Sequence, residues 1–164
     1  MPNLQHLTDW SAHDGRFLIH VRPCVLSVFE AYVQRNTSDP ESGGILLGIV
    51  HGSHLELVHA TPPFPTDRRT RYSFDRDLEG HTEIADQLWH ESKGIIRYVG
   101  EWHTHPEIIP SPSGIDLIEW KTSAAKRTDG RPLLGLIVGI KGIYIQSTSA
   151  SGKALVYDVL TKNV

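Results

Sequence analysis

The residue types best suited to chemistry lie in the stretch GEWHTHPEIIPSPSGIDLIEW, from Gly100 to Trp120. His103 and His105 are two residues apart, so in an extended segment both imidazoles point to the same side. Ser113 has the type and position of a helix N-cap, which places Asp116 in the first helical turn. Two imidazoles and one carboxylate suit Zn²⁺, and three protein ligands leave a fourth position for water. We therefore expect a catalytic rather than a structural zinc site.

The spacing of these residues resembles a known motif. The pattern His-x-His-Pro, six residues, Ser, two residues, Asp is far more restrictive than either half alone. In this pattern His103, His105, Ser113 and Asp116 match the JAMM motif of the JAB/MPN-domain metalloproteases, the zinc-dependent deubiquitinase superfamily. The resemblance covers roughly residues 21–146.

The family pattern also includes a distant glutamate that precedes a glycine and an apolar strand. Glu41 fills that position, because it is followed by Ser-Gly-Gly and then by the apolar run that starts at Ile45. Taken alone, Glu41 would be a carboxylate in the turn before a strand. Together with the downstream cluster, it is interpreted as the general base of a hydrolytic reaction.

The resemblance implies a role for each of these residues. His103, His105 and Asp116 would bind one catalytic zinc ion, and Glu41 would take a proton from the attacking water and pass it to the leaving amine. The Ser113 hydroxyl would stabilise the oxyanion of the tetrahedral intermediate, and loss of one such donor typically costs about 10²–10³ in rate. Capping of the helix that holds Asp116 is the other role of Ser113, and the two roles are compatible.

The resemblance also implies a substrate class. JAB/MPN proteases cleave a peptide or isopeptide bond after the C-terminal glycine of a ubiquitin-like protein, whose tail can lie as an added strand along an exposed sheet edge. The compact chain is most similar to bacterial stand-alone JAB proteins of anti-phage defence operons, such as CBASS and bacterial ubiquitin-like conjugation systems. The expected partners are a ubiquitin-like protein, its conjugates, and operon-encoded activating-like and conjugating-like enzymes. Two alternatives stay open: a JAB hydrolase acting on a sulfur-carrier protein or a small amide, and a non-catalytic MPN-type scaffold.

Three other zinc-hydrolase patterns use similar residues but are not met. Zincin proteases need His-Glu-x-x-His on a helix, which the sequence lacks. Zinc deaminases need His-x-Glu and a later Pro-Cys-x-x-Cys; His105 and Glu107 match the first half, but Cys24 is the only cysteine. Amidohydrolase barrels begin with His-x-His but need a chain of about 250 residues. The JAMM resemblance is therefore the interpretation that remains.

Composition sets the broad class of the protein. The length of 164 residues fits one domain with a sizeable core, so we predict a single JAB/MPN-like domain over residues 1–164. A net charge of −3 does not favour a nucleic-acid partner, which needs a strongly basic face. One cysteine excludes an internal disulfide and fits a reducing cytoplasm. No apolar run reaches the ~18–20 residues that span a membrane, and no signal peptide is evident. We therefore expect a cytoplasmic protein without a membrane partner.

The elements that must position the site follow from periodicity and turn residues. Strands are predicted over residues 17–21, 45–50, 55–60, 95–102, 133–140, 143–147 and 154–160. Helices are predicted over residues 23–36, 75–92 and 113–126. The fold class is α/β, a mixed sheet flanked by helices, similar to the JAB/MPN (cytidine-deaminase-like) fold.

The sequence also predicts the environment of several single residues and of one loop. Cys24, beside a helical apolar pattern, is expected to be a small buried hydrophobe. His81, on the second predicted helix, is expected to be on the surface or partly packed. The Pro-rich segment 61–74 is expected to cover the surface near the site, and its arginines form either a partner-binding patch or a solvated loop: Arg68, Arg69 and Arg71. The candidates for binding the second nitrogen of the ligand imidazoles are Glu101, Thr104 and Glu107.

Overall fold

The computed structural model describes residues 3–160, in which strands predominate. The elements are β1 (Asp9–Ala12), β2 (Phe17–Val21), α1 (Pro23–Tyr32), β3 (Gly43–His51), β4 (His54–Ala60), β5 (Arg68–Thr70), β6 (Ser73–Asp75), α2 (Leu78–Glu91), β7 (Ile96–Thr104), α3 (Gly114–Lys126), β8 (Leu133–Val138), β9 (Ile143–Thr148) and β10 (Ala154–Val159). The long strands and all three helices within this part of the chain agree with the predicted segments. The prediction of one domain over residues 1–164 stays a prediction, because residues 1–2 and 161–164 lie outside the described residues.

Eight strands within residues 3–160 close into a barrel, in the order β1-β10-β9-β8-β7-β3-β4-β2. The pairs β2–β4 and β7–β8 are parallel, and the other pairs are antiparallel. Antiparallel pairing of β1 with β2 completes the circle, with Trp10 opposite Ile19. The predicted mixed α/β class is confirmed. The closure of the sheet was not predicted, and the cytidine-deaminase-like detail stays a prediction.

The barrel interior holds the main hydrophobic core. Alternate residues of the strands point inward, and α1 adds Val25, Leu26 and Phe29 to the same cluster. The ring of Phe29 packs against Trp102 of β7 with ring centroids 5.0 Å apart. Because α1 follows the last residue of β2 and reaches the last residues of β7, it fills the end of the barrel where these two strands finish.

Two helices pack on the outside of the barrel. A second cluster joins Trp120 and Ala124 of α3 to Leu133 and Ile137 of β8. Helix α2 contacts β7 and β3. The outer face of β7, which carries His103, therefore lies between helices rather than in open solvent.

The Pro-rich segment between β4 and α2 is braced by buried polar side chains. His81 is 1% exposed, and its ring nitrogens contact Thr61 Oγ1 at 2.6 Å and Asp67 Oδ2 at 3.0 Å. The Asp67 carboxylate also accepts hydrogen bonds from the backbone nitrogens of Phe64 and Asp77. The expectation of a surface His81 was therefore wrong, because α2 turns this ring toward the loop that it anchors.

Other local expectations also need correction. Helix α1 ends at Tyr32 instead of near Asn36. Cys24 is exposed rather than buried, since the face of α1 that packs inward begins with Val25, and the Cys24 thiol donates to the carbonyl of Val58 at 3.6 Å.

Within residues 3–160, no helix has the length and apolar character needed to cross a membrane.

Candidate metal centre

Strand β7 and helix α3 bring the predicted ligand residues together. His103 is in β7 and His105 follows its last residue, so both rings project from the same side of the chain. Asp116 lies in the first turn of α3. His103 Nε2 is 3.2 Å from Asp116 Oδ1, and His105 Nε2 is 3.2 Å from Asp116 Oδ2. The two Nε2 atoms are 3.1 Å apart.

The start of α3 fixes the orientation of the carboxylate. Ser113 is the N-cap, and its Oγ accepts a hydrogen bond from the backbone nitrogen of Asp116 at 3.1 Å. In return, Asp116 Oδ2 accepts from the backbone nitrogen of Ser113 at 2.9 Å, which completes a capping box. The local sequence Ser-Gly-Ile-Asp therefore starts the helix and aims the carboxylate at the imidazoles.

The spacing of the three donor atoms fits a metal ion. Ligand atoms placed tetrahedrally at ~2.0–2.1 Å from a zinc ion lie about 3.3 Å from one another. The two Nε2 atoms, 3.1 Å apart, are close to that value, and each of them lies 3.2 Å from a different oxygen of the Asp116 carboxylate. His105 Nδ1 lies 2.8 Å from the Glu107 carboxylate, so in the neutral ring Nδ1 carries the proton and Nε2 is the nitrogen that can bind a metal ion. The contact of 3.2 Å between His105 Nε2 and Asp116 Oδ2 is satisfied by a proton on Nε2 or by a metal ion in its place.

The electrostatics of the cluster show the same need for positive charge. Burial alone would lower the pKa of His105, but hydrogen bonds to Asp116 and Glu107 raise it to about 9. Burial alone would raise the pKa of Asp116, but hydrogen bonds from His103 and His105 hold it far below its ordinary value. The group of His103, His105 and Asp116 is thus able to hold a metal ion. Glu107 was one of the three residues considered as an outer partner.

Glu41 lies beside this cluster because β3 pairs with β7. Gly43 is opposite His103 in the register, and the backbone nitrogen of Thr104 donates to the carbonyl of Ser42 at 2.8 Å. Glu41 is 8% exposed, and burial raises its pKa to about 7, although the imidazoles of His103 and His105 oppose the shift. A carboxylate with this pKa exchanges protons at neutral pH.

Two members of the cluster, His105 and Asp116, line one cavity of about 460 Å³ together with Glu41. Its walls come from α3, the loop after β7 and the β5–β6 hairpin. The lining residues are Glu41, Tyr72, Ser73, Phe74, Asp75, His105, Pro106, Glu107, Ser113, Ile115, Asp116 and Glu119. The structure therefore brings Glu41, Ser113, His105 and Asp116 to one space, and the prediction that segment 61–74 lies near the site is confirmed.

Three residues that support the site were not recognised from the sequence. Arg69 donates through Nε to the carbonyl of Glu41 at 3.0 Å and through Nη2 to Ser42 Oγ at 2.5 Å, so it braces the glutamate segment. Gln34 accepts from Thr104 Oγ1 at 2.8 Å. Glu119 lines the cavity, and burial raises the pKa of its carboxyl group. Arg69 and Gln34 have no motif around them, since their contacts are made across the fold, whereas Glu119 lies three residues after Asp116, at helical spacing.

Comparison with known proteins identifies the family. The sequence pattern of the prokaryotic homologs of the JAB domain matches residues 27–153. The chain belongs to this prokaryotic JAB family. The predicted family resemblance is thereby confirmed, and this JAB protein shares its mixed α/β domain.

Individual relatives agree with this membership. A CD-NTase/cGAS isopeptidase of Pseudomonas aeruginosa is 47% identical over 94% of this chain and 98% of its own length. A CD-NTase/cGAS isopeptidase of Escherichia coli is 38% identical over 74% of this chain and 76% of its own length. The solution structure of protein DSY2949 from Desulfitobacterium hafniense superposes with a TM-score of 0.60 and 17% identity, over 87% of this chain and 89% of that one. The last likeness shows a shared fold.

Proposed function

We propose that this JAB protein is a zinc-dependent isopeptidase. The observation that supports this most directly is the convergence of His103, His105 and Asp116 into a group that can hold a metal ion, with Glu41 in the same cavity as His105 and Asp116. In the proposed reaction, water adds to the carbonyl carbon of an isopeptide bond and the carbon–nitrogen bond breaks. The products are a free carboxylate and a lysine amine.

Each side chain has a part in this reaction. A bound zinc ion supplies Lewis acidity that activates water at neutral pH. Glu41 accepts the proton of the attacking water and returns it to the leaving amine, a task that its position in the cavity beside the metal ligands allows. Glu107 holds the His105 ring through Nδ1, which keeps Nε2 available as a ligand.

Ser113 is proposed to stabilise the oxyanion. Its Oγ accepts one hydrogen bond from the Asp116 backbone nitrogen, and the hydroxyl proton remains available for donation within the cavity. A hydroxyl aimed at the developing negative charge stabilises the tetrahedral intermediate more than the substrate. The capping role and the oxyanion role thus use different parts of the same group.

The names of the relatives point to the substrate. The relatives of P. aeruginosa and E. coli are isopeptidases of CD-NTase/cGAS, and the first matches this chain almost end to end. We propose that this chain releases a CD-NTase from proteins to which it is joined by an isopeptide bond, in a CBASS-type anti-phage system of the cytoplasm. The expected ubiquitin-like protein is the alternative acyl partner, favoured by the JAMM resemblance.

The barrel restricts where the acyl tail can lie. Closure pairs both edges of each of its eight strands, so the unpaired strand edge near the cavity belongs to the β5–β6 hairpin. Ser73, Phe74 and Asp75 of β6 line the cavity. An extended tail that adds to β6 would place its last residues beside Glu41 and the metal ligands.

A cleavage assay tests this proposal. The substrates are a CD-NTase with its C-terminus joined to a lysine side chain and a ubiquitin-like protein joined in the same way. We expect cleavage of the first, its loss with a chelator and its recovery with zinc. Preferential cleavage of the ubiquitin-like conjugate would replace the substrate but keep the chemistry, and chelator-resistant cleavage would contradict the metal assignment.

Two variants separate the base from the ligands. Glu41→Gln should reduce turnover by at least about 10²-fold and retain stoichiometric zinc, because the amide cannot accept the proton. Asp116→Ala should lose both turnover and zinc. The matched control is Glu83→Gln at an exposed position of α2, which should behave as the wild type. Full activity of the zinc-loaded Glu41→Gln protein would refute the assigned base.

A further inference from the structure

A second cavity lies at the end of the barrel that α1 does not fill. It is lined by residues at the start of β2, β4, β8 and β10: Phe17, Leu55, Leu134 and Leu155. All four belong to the interior core cluster or pack against it. His103 is the next-to-last residue of β7 and His105 follows the last one. Because β7 is parallel to β8, these two residues lie toward the opposite end of the strands. The cavity is therefore an unfilled part of the barrel interior, separate from the metal centre.

The size and lining of this cavity suit a small molecule. Its volume is about 410 Å³, within the range of ~300–1,000 Å³ typical of ligand pockets. An eight-stranded barrel is just wide enough to be filled by side chains or to hold one small ligand. Most of the exposed wall is apolar and comes from side chains such as Leu55, Leu134 and Leu155, although serine and tyrosine side chains also line the cavity. A flexible aliphatic body fits such a wall better than a nucleobase does.

The rim of this cavity is basic. Arg127, Arg131 and Lys153 line it, and no Asp or Glu is among its described lining residues. The neighbouring carboxylate, Asp129, is already held by Arg127 at 2.7 Å. Within residues 3–160, the side chains of Arg131 and Lys153 make no ion pair or hydrogen bond. The rim thus carries positive charge that no acidic group of the described chain neutralises.

Arg127 is held at the rim by contacts within the protein. Its side chain is 9% exposed, and its Nε and Nη2 atoms bind Asp129 and the carbonyl of Tyr98. Its Nη1 atom is buried and has no hydrogen-bond partner among the described residues. The guanidinium also lies over the Tyr98 ring, with Cζ 5.3 Å from its centroid. Arg127 therefore fixes positive charge at the rim, while Arg131 and Lys153 are the groups that would bind a head group.

We propose that this cavity binds a small amphiphilic anion, an alkyl chain that ends in a carboxylate or phosphate. The chain would occupy the apolar interior beside Leu134 and Leu155, and the head group would meet the basic rim. Guanidinium groups pair with both head groups through two parallel hydrogen bonds, which a neutral head group cannot reproduce. Such a ligand is chemically unrelated to the isopeptide substrate of the metal centre.

Calorimetric titration of the whole protein tests this proposal with decanoate and decyl phosphate, both below their micelle-forming concentrations. We expect saturable binding of one ligand per chain. Tighter binding of decanoate would identify the natural ligand as a fatty acid, and tighter binding of decyl phosphate would identify it as a phosphorylated lipid fragment. Decanol, with the same chain and no charge, should bind at least about tenfold more weakly. Adenosine monophosphate should not compete; tighter binding of the nucleotide would overturn the aliphatic assignment.

Three variants locate the site. Arg131→Gln should weaken binding by at least about tenfold without loss of an internal contact. Ala154→Phe, at the start of β10, should fill the mouth of the cavity and abolish binding while its melting curve stays cooperative. The matched control is Lys121→Gln on the exposed face of α3, outside the lining residues, which should bind as the wild type does. Unchanged affinity in both cavity variants, or equal affinity for decanol, would overturn the proposal.

Discussion

At the scale of single residues, Asp116 makes two sets of contacts that the sequence allowed us to predict together, one with the helix cap and one with the imidazoles. Its Oδ2 closes the capping box with Ser113, and both of its oxygens face the imidazoles of His103 and His105. Because the capping contact is local, four residues of sequence were enough to place the carboxylate. The raised pKa of Glu41 was not predictable in this way, since its burial depends on segments from elsewhere in the chain.

Ser113 offers a test of its two roles. Ser113→Ala should lose about 1 kcal/mol of stability and about 10²–10³ in turnover, because it removes both the cap and the hydroxyl. Ser113→Gly should keep most of the cap but lose the turnover, and Ser113→Thr should keep both. Thermal melts and turnover numbers of the three proteins check this. If Ser113→Gly were fully active, the hydroxyl would serve only as the cap.

The burial of Glu41 predicts a pH-dependent effect on stability. Its pKa is raised from 4.5 to about 7 in the folded metal-free protein, so the folded state favours the protonated form, and this contribution to stability is lost as pH rises through about 7. Glu41→Gln should therefore stabilise the metal-free protein at pH 8 by about 1–3 kcal/mol and have little effect at pH 4. Denaturant titrations at both pH values measure the difference. Equal stabilisation at the two pH values would show that ionisation is not the cause.

At the scale of elements, the sequence was sufficient to predict a strand or a helix whose own residues carry the apolar pattern or the capping signal. The apolar run after Gly43 predicted β3, and the capping signal at Ser113 predicted α3. The short strands β5 and β6 were missed, since three residues each are too few to show alternation and Arg69 is held by contacts to a distant segment. His81 was misplaced for the same reason, because its partners lie on a loop without periodicity.

The contact between α3 and β8 predicts the consequence of adding one methyl group. A Cβ at residue 135 would overlap the ring of Trp120, which is buried and packs 6.3 Å from the His103 ring between centroids. Gly135→Ala should therefore cost about 1–3 kcal/mol and weaken metal binding, because it displaces the helix that carries Asp116. Melting temperature and zinc titration measure both effects.

Gly114→Ala is the control for that substitution. It lies on the same helix, and a Cβ there would meet no atom within 4 Å. It should be neutral or slightly stabilising, since alanine loses less backbone freedom on folding. Normal zinc affinity in the Gly135→Ala protein would mean that α3 can shift without moving its carboxylate.

At the scale of the whole molecule, closure of the barrel depends on β1, which the sequence did not reveal. Trp10 is 4% exposed, pairs with Ile19 and Val159 across two neighbouring strands, and donates through Nε1 to the carbonyl of Leu7 at 2.8 Å. The strand has four residues, too few for a periodic signal, and its partners are at both extremes of the described chain. Closure of the barrel depends on the pairing of strands that are distant in sequence, so the alternation of apolar and polar residues within one strand does not predict it.

The same strand predicts a large stability effect far from the metal centre. Trp10→Ala should lower the free energy of unfolding by about 3–5 kcal/mol, because it removes a buried ring from the strand that pairs with both β2 and β10. Trp89→Ala, at a position that is 44% exposed, is the matched control and should cost less than about 1 kcal/mol. Denaturant midpoints compare the two proteins. If both substitutions caused similarly small losses of stability, the pairing of β1 with its neighbours would contribute little to the fold.

The pairing of β1 with β10 also has a consequence for biosynthesis. The two strands begin about 145 residues apart, so at ribosomal speeds of roughly 5–20 residues per second β1 waits roughly 7–30 s for its partner. During that interval the nascent chain has unpaired strand edges on β1 and on the strand that has most recently been synthesised. We expect the final closure to be the slow phase of refolding and the stage at which chaperones protect the chain.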